Sequence, residues 1–362
     1  MRVAIAHDWL VGYAGSERCV EQMLEAFPGA RLVTTVVEPS VLPQALRGAE
    51  PSFLQRVPGT RRHHEWFLPL MPLAWRLADL PADLDAVISS SHACAKAVRS
   101  DGAPHLCYCH TPMRYAWDFE AERGRFPAPL RPAARAGMAW FRGWDRRTAA
   151  RVDRFVANSR AIAERIRLFY GRRAQVIHPP VRTDFFTPGG ERGEEFLYVG
   201  RLVSYKRADV AVESFAALPY SLLVVGDGHL AQRLRARATP NVRFLGEVSD
   251  ERLRDLYRSA RALVYPAEED FGIAMAEAQA CGTPVIALGA GGAPDIVEPG
   301  VTGWLLERQH VDDVRTAVRR AAHVPLDREA IRSRAERFSP ERFRRELRAA
   351  VEELIAEKAA RR

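Results

Sequence analysis

A chain of 362 residues is too long for one ordinary core and implies two domains. Hydrophobic residues make up 47% and charged residues 27%, the balance of a globular protein rather than a disordered or fibrous one. Lys and Arg number 53 against 45 acids, a net charge of +8 that suits an anionic ligand, an anionic membrane surface or nucleic acid, or simply well-solvated arginine-rich helices.

The chain enters an apolar strand at once, over residues 3–6, with no charged leader ahead of a long apolar run. No stretch approaches the ~20 apolar residues of a membrane span. The five cysteines, Cys19, Cys94, Cys107, Cys109 and Cys281, are odd in number and lack CxxC spacing. That argues against a disulfide framework and against a zinc site, and predicts a cytoplasmic protein.

After the first strand comes GYAGSER, residues 12–18, then a helical pattern through Val20, Met23, Leu24 and Phe27. Strand, glycine loop and helix can bring backbone N–H groups to an anion or a sugar, although the glycines are not spaced as a dinucleotide fingerprint and serve equally as a turn. A second strand is expected over 31–37. Residues 61–75 are basic first and then aromatic and apolar, with Trp66, Phe67, Leu70, Leu73 and Trp75. They could rest on a lipid surface or pack on the domain, and Pro69 and Pro72 interrupt any long helix. Strands follow at 85–89 and 105–109, and SSHACAKAV between them could begin a helix. His110 leaves the end of the second of these strands beside Pro112, Arg114, Tyr115 and Trp117, a polar and aromatic group suited to a sugar. A basic helix is expected over 140–151, a strand at 154–158, a helix at 160–170 capped by Ser159, and a short strand at 175–177. The Pro- and Gly-rich run 178–195 marks the domain boundary.

The pattern then restarts, with strands at 196–199, 222–225, 242–245, 262–265 and 284–287. Alternation with helices implies an α/β fold with parallel sheets covered on both faces. Arg201 and Lys206 follow the first of these strands and could neutralise a diphosphate. The stretch 265–286, YPAEEDFGIAMAEAQACGTPVI, carries Glu269 and Glu277 around a Phe271–Gly272 turn. Glu269 falls in a loop and Glu277 in the helix after it, where carboxylates for sugar hydroxyls would stand near a positive helix end. From Asp312 the chain is helical and arginine-rich.

These segments together resemble the retaining glycosyltransferases of the two-Rossmann-domain (GT-B) kind, group 1 or family 4. The carriers are the E-x7-E element Glu269 to Glu277 within EDFGIAMAEAQACGTPVIA, VGRLVSYKR, the VVGDG turn, and APDIVEPGVTGWL. In the N-terminal half, SSSHACAKAV, YCHTPMRYAWD, NSRAIAERI and VIHPPV look like the mannosyltransferase subgroup of polysaccharide or O-antigen assembly. The resemblance implies domains 1–185 and 186–340 facing a cleft, and a C-terminal helix, 341–362, packing back on the first. It implies transfer of a hexose, mannose from GDP-mannose, to a glycan or polyprenyl-linked acceptor, with peripheral membrane contact through 61–75. Arg201 and Lys206 would receive the donor diphosphate, Val248 the base, Glu277 the ribose, and Glu269, Phe271 and Gly272 the sugar, with Gly200 and Gly226 also in the donor-binding site. His110 would lie near the reacting centre and Gly15 in a loop facing donor and acceptor, although Ala14 stands where the family has a second glycine. No metal or cofactor is implied, and there is no DxD pair to suggest one.

The implied mechanism retains the anomeric configuration, with Arg201, Lys206 and a helix N-terminus stabilising the departing diphosphate. Glu269 suits positioning better than covalent attack. An epimerase or phosphorylase of the same architecture, or a non-catalytic nucleotide-sugar-binding module, are the alternatives. Nucleic-acid binding has no zinc-finger spacing or RNP-like segment behind it.

Overall fold

The structure, a computed structural model, describes residues 1–118 and 128–361. It divides into two compact units, Met1–His178 with Phe343–Arg362, and Pro179–Arg342.

The first unit is built on a seven-stranded sheet of β1 (Val3–His7), β2 (Arg31–Thr34), β3 (Glu50–Pro51), β4 (Ala86–Ser91), β5 (His105–Cys109), β6 (Arg154–Ala157) and β7 (Ala174–Val176). The order is β3-β2-β1-β4-β5-β6-β7, parallel throughout. Strands β1, β4 and β5 are buried at every position, as central strands covered on both faces must be. Exposed β3 carries Pro51 at the sheet edge, where a missing N–H costs no ladder bond. The winding reverses between β1 and β4, which opens a crevice at their C-terminal ends.

Helix Arg160–Tyr170 starts where Ser159 Oγ accepts from Ile162 N–H at 3.2 Å and stops at Gly171, whose φ is +66°. Helix Pro340–Ala360 places Phe343, Leu347, Val351 and Leu354, at helical spacing, in the core of this first unit. Around it Arg154 pairs with Glu353 at 3.0 Å and Lys358 with Asp153 at 2.8 Å. Those exposed pairs are worth ~0–1 kcal/mol each, against about 1.5–3 kcal/mol for each large apolar side chain buried, so burial holds the helix.

The second unit has a six-stranded parallel sheet of β8 (Phe196–Val199), β9 (Leu222–Val225), β10 (Val242–Gly246), β11 (Leu263–Tyr265), β12 (Val285–Leu288) and β13 (Gly303–Leu306), ordered β10-β9-β8-β11-β12-β13. Here the reversal lies between β8 and β11. The α/β architecture with two Rossmann-like sheets is the one anticipated from the alternating pattern.

Three local expectations need correction. SSHACAKAV begins no α-helix: it holds only a 3-10 turn, Ala95–Ala97, because the Asp8 carboxylate takes the N–H groups that would start one. The basic helix runs Arg131–Ala149, not 140–151; Pro132 is tolerated in a first turn. Gly15 is not in a loop but opens helix Gly15–Ala26. After β12 the chain forms the short helix Ala293–Ile296 and strand β13, which was not anticipated from the sequence because Pro299 and Gly300 look like a turn. Residues 60–76 form three short pieces, Thr60–His63, His64–Leu70 and Met71–Arg76, broken around Pro69 and Pro72. All five cysteines are buried free thiols, and Cys107 and Cys109 share one cluster with Phe155 and Ile162. Among the described residues no helix is long and apolar enough to cross a membrane.

Candidate functional site

In the second unit the loops leaving β8 and β11 meet across the reversal point. Lys206, at the end of the 3-10 turn Ser204–Lys206, places Nζ 2.6 Å from Glu269 Oε1. Tyr265 Oη donates to the same carboxylate oxygen at 3.1 Å and accepts from Lys206 Nζ at 3.2 Å. Burial, and then the Glu269 charge, push the phenols of Tyr265 and Tyr198 well up, so both remain O–H donors. Tyr198 uses its hydroxyl on the Lys206 carbonyl at 2.9 Å, and its ring stacks on Tyr265 at 6.1 Å. Arg201 is exposed and hydrogen-bonds Tyr205 Oη. The loop after β8 therefore carries one exposed cation and one cation paired with a carboxylate that an incoming anion could replace.

Glycine backbone makes this close approach possible. A Cβ on Gly226, at φ +114°, would lie 2.2 Å from the Gly200 carbonyl oxygen, so no side chain fits where the β8 and β9 loops touch. Gly292 N–H donates to the Glu269 carbonyl at 2.8 Å, and a Cβ on Gly291 would meet that same oxygen at 2.1 Å. The β12 loop thus pins the backbone of Glu269. Phe271 is buried, and Gly272, at φ +100°, opens helix Ile273–Ala280. Glu277 is the fifth residue of that helix, buried, and accepts from Tyr257 Oη at 3.2 Å. It takes a different partner from Glu269. Val248, half-buried, follows β10 just before Ser249, whose Oγ caps helix Asp250–Ser259.

The first unit carries a second polar cluster at the ends of β1, β4 and β5. His7, His92 and His110 have ring centroids 5.7, 6.3 and 6.4 Å apart. Ser90 Oγ lies 3.0 Å from His7 Nδ1 and 2.8 Å from His110 Nε2. Asn158 Nδ2 donates to the His110 carbonyl at 3.0 Å. Burial, and then His92 and His7, bring the His110 imidazole down to about 3, so it is neutral near pH 7. Asp8 is fully buried, and burial alone would raise its carboxyl. His92, His7 and backbone N–H groups outweigh that and hold it below its ordinary value. Its oxygens accept from His92 and Ala93 N–H at 2.7 and 2.9 Å, and from Cys94 and Ala95 N–H at 2.5 and 2.6 Å. Gly15, at the start of its helix, stands two residues before buried Glu17, which faces His7 Nε2 at 3.6 Å. Among the described residues no group of three His, Cys, Asp or Glu side chains is placed to hold a metal ion.

Two family models match in succession. The model described as Glycosyltransferase Family 4 matches residues 13–185, and that described as Glycosyl transferases group 1 matches residues 183–338. Both models describe glycosyltransferases, and together they span residues 13–338. Among curated relatives, D-inositol 3-phosphate glycosyltransferase of Mycobacterium sp. strain JLS is 33% identical over 188 residues, 45% of this chain and 43% of that protein. The protein of that name from Nocardiopsis dassonvillei is 32% identical over 270 residues, 65% and 61% of the two chains. The chain thus spans less than two thirds of the length of these relatives. Among solved structures, Anabaena HepE in complex with UDP and glucose superposes with a TM-score of 0.72 at 18% identity, covering 96% of this chain and 99% of that one. Sucrose-phosphate synthase of Thermosynechococcus elongatus gives 0.71 at 18%, covering 99% and 100%. Both share the fold.

The sequence pointed to Arg201, Lys206, Glu269, Glu277 and His110 but not to the residues that orient them. Tyr198 and Tyr265, which hold Lys206 and Glu269, read as ordinary strand residues. His7, Asp8 and Ser90 were hidden in the same way. One signal was available: polar residues at the C-terminal ends of otherwise apolar strands, His7 closing β1 with Asp8 after it, and SSS closing β4.

Proposed function

We propose that the chain transfers a hexosyl group, with retention, from a nucleoside diphosphate sugar to a hydroxyl of a glycan or lipid-linked acceptor. The observation that carries this reading is the Lys206–Glu269–Tyr265 group at the β8/β11 reversal point, with Arg201 on the same loop. Arg201 and Lys206 take the diphosphate, and Glu269, released from Lys206, takes a sugar hydroxyl. Glu277 and the loop around Val248 serve the nucleoside. The chemistry needs charge stabilisation rather than a protein nucleophile. No metal or organic cofactor enters this scheme. An epimerase or phosphorylase would need no acceptor or would need inorganic phosphate, and an acceptor-dependent release of nucleotide excludes both, together with a mere binding module.

For the base, uridine is favoured over the guanosine of the expected GDP-mannose, because solved structures of this fold are complexes with UDP or UDP-glucose. The test is a panel of UDP, GDP and ADP in thermal melts, followed by turnover with the matching hexoses. A nucleotide at about 100 times its Kd stabilises by about 2.7 kcal/mol, a rise of roughly 5–10 °C for a unit of this size. Selective stabilisation by GDP would restore guanosine-linked mannose as the donor, and no stabilisation by any of the three would remove the nucleotide-sugar reading.

The lipid-linked acceptor has support in residues 60–77. Leu68, Met71, Ala74 and Trp75 face the core, whereas Trp66, Leu70, Leu73 and Leu77 form an exposed stripe at helical spacing, with Trp66 77% exposed. Exposed Arg61, Arg62 and Arg76 accompany them, and His63 stacks on Trp66 at 4.7 Å. An apolar stripe with basic neighbours fits an anionic lipid surface. The protein is expected to sediment with vesicles containing anionic lipid, and Trp66→Ala with Leu73→Ala to weaken that binding about tenfold or more. Equal binding by the double variant, or none by the wild type, would remove membrane contact from the scheme.

A further inference from the structure

Two histidines on neighbouring strand ends share one serine hydroxyl. His7 Nδ1 lies 3.2 Å from the Ser90 carbonyl oxygen and 3.0 Å from Ser90 Oγ. A carbonyl oxygen can only accept, so this contact requires a proton on His7 Nδ1. The opposite tautomer would set a nitrogen lone pair against the carbonyl lone pairs in a fully buried place. That N–H also faces Ser90 Oγ, so the hydroxyl oxygen meets a donor on this side. Among the described residues the one acceptor left for the hydroxyl's own proton is its other neighbour, His110 Nε2, at 2.8 Å. His7 Nε2 faces Glu17 Oε1 at 3.6 Å. Glu17 Oε2 accepts from Ala14 N–H and Ser16 Oγ, each at 3.0 Å. Burial raises the Glu17 carboxyl, but the hydrogen bond and charge of His7 prevail and bring it to about 2, so the group facing His7 is ionised.

We infer that His7 and Ser90 are positioning residues that hold His110 as a neutral imidazole with its proton on Nδ1. In the glycosyl-transfer reading, His110 is then a hydrogen-bond donor, not the base that removes a proton from the acceptor. Its Nε2 is taken by the Ser90 hydroxyl and its Nδ1 already carries hydrogen. A neutral N–H of fixed direction stabilises charge growing on an oxygen without reorganisation. The titratable groups facing the ring are His7 and Asp8 at the end of β1, His92 after β4, Glu17 on its helix and Tyr108 on β5. The role in transfer rests on the proposed function; the place of the proton does not.

The test uses the full chain labelled with ring 15N-histidine, with His110→Gln to assign the signals. His110 is expected to show a protonated Nδ1 and an unprotonated Nε2, unchanged from pH 8 to pH 5. Ser90→Ala should release the ring into exchange between tautomers, and Ser90→Thr should restore the pattern. In turnover, Ser90→Ala should lower kcat about tenfold with donor KM little changed, as for one lost hydrogen bond, and Ser90→Thr should recover it. A proton on Nε2 in the wild type, or a ring titrating between pH 5 and 8, overturns the inference. The wild-type spectrum decides even where Ser90→Ala fails to fold. Absence of any transfer alongside the expected spectrum would remove the glycosyl-transfer reading alone, and transfer by a ring protonated on Nε2 would remove this inference alone.

Discussion

Replacing Lys206 by alanine is expected to lower kcat by roughly 10²–10³-fold at saturating donor, the effect of deleting one preorganised group from a site of developing charge. The loss should fall on kcat because the leaving diphosphate gains negative charge as the sugar bond breaks, so the ammonium interacts more strongly in the transition state than in the ground state. The fold should survive. Lys206 and Glu269 are both partly open to solvent, which screens their attraction, and Glu269 keeps the Tyr265 hydroxyl at 3.1 Å when the lysine is removed. Melting should therefore shift by the equivalent of about 1 kcal/mol or less. Lys206→Arg retains the charge but cannot keep the same single-point geometry with Glu269 and Tyr265, so it should recover activity only in part. Turnover of Lys206→Ala within a few-fold of wild type would show that this lysine does not carry the diphosphate.

Lys206 and Glu269 were legible as single residues because each follows a strand, and strand ends in a parallel sheet are where ligands bind. Their contact was not legible. It depends on β8 lying beside β11, a pairing of segments more than sixty residues apart that no local pattern encodes. Strands β1, β4, β5, β8, β9 and β12 announced themselves as apolar runs, whereas β13 did not. Its Gly303 and the Pro299–Gly300 turn are punctuation in sequence, yet a Cβ on Gly303 would lie 1.9 Å from the Val285 carbonyl, so the glycine is there to let the strand close on β12. The turn around Ala95 failed for a related reason. SSHACAKAV has helical composition, but its N–H groups bond a carboxylate more than eighty residues earlier in the chain, and long-range capture overrides local propensity. The same feature explains how His92 is placed: the Asp8 carboxylate that organises the turn also faces His92 Nδ1 at 3.5 Å.

Asp145→Ala is expected to destabilise the first unit by about 3–5 kcal/mol, a fall in melting temperature of roughly 10 °C or more. Lys96 and Asp145 are fully buried, with Nζ and Oδ1 2.5 Å apart. Burial would lower the lysine's pKa, but the charge and hydrogen bond of Asp145 outweigh it and raise it, so the lysine stays charged. Lys96 Nζ also donates to the Ala93 carbonyl at 2.8 Å, and Asp145 Oδ2 accepts from Trp117 Nε1 and Tyr170 Oη, both at 2.7 Å. Removing the carboxylate therefore strands a buried cation and two buried donors at once. Lys96→Met should cost less, because Asp145 keeps the Trp117 and Tyr170 donors and the methionine fills most of the lysine's volume. The double variant Lys96→Met with Asp145→Leu should be more stable than Asp145→Ala, since no buried charge is left without its partner. The effect reaches the histidine cluster, for Lys96 grips the Ala93 carbonyl within the turn whose N–H groups bind Asp8. Faster amide exchange at residues 92–95 should accompany Lys96→Met. Melting of Asp145→Ala within about 2 °C of wild type would show that the network is not what holds this turn, and would leave the placement of His92 to Asp8 alone.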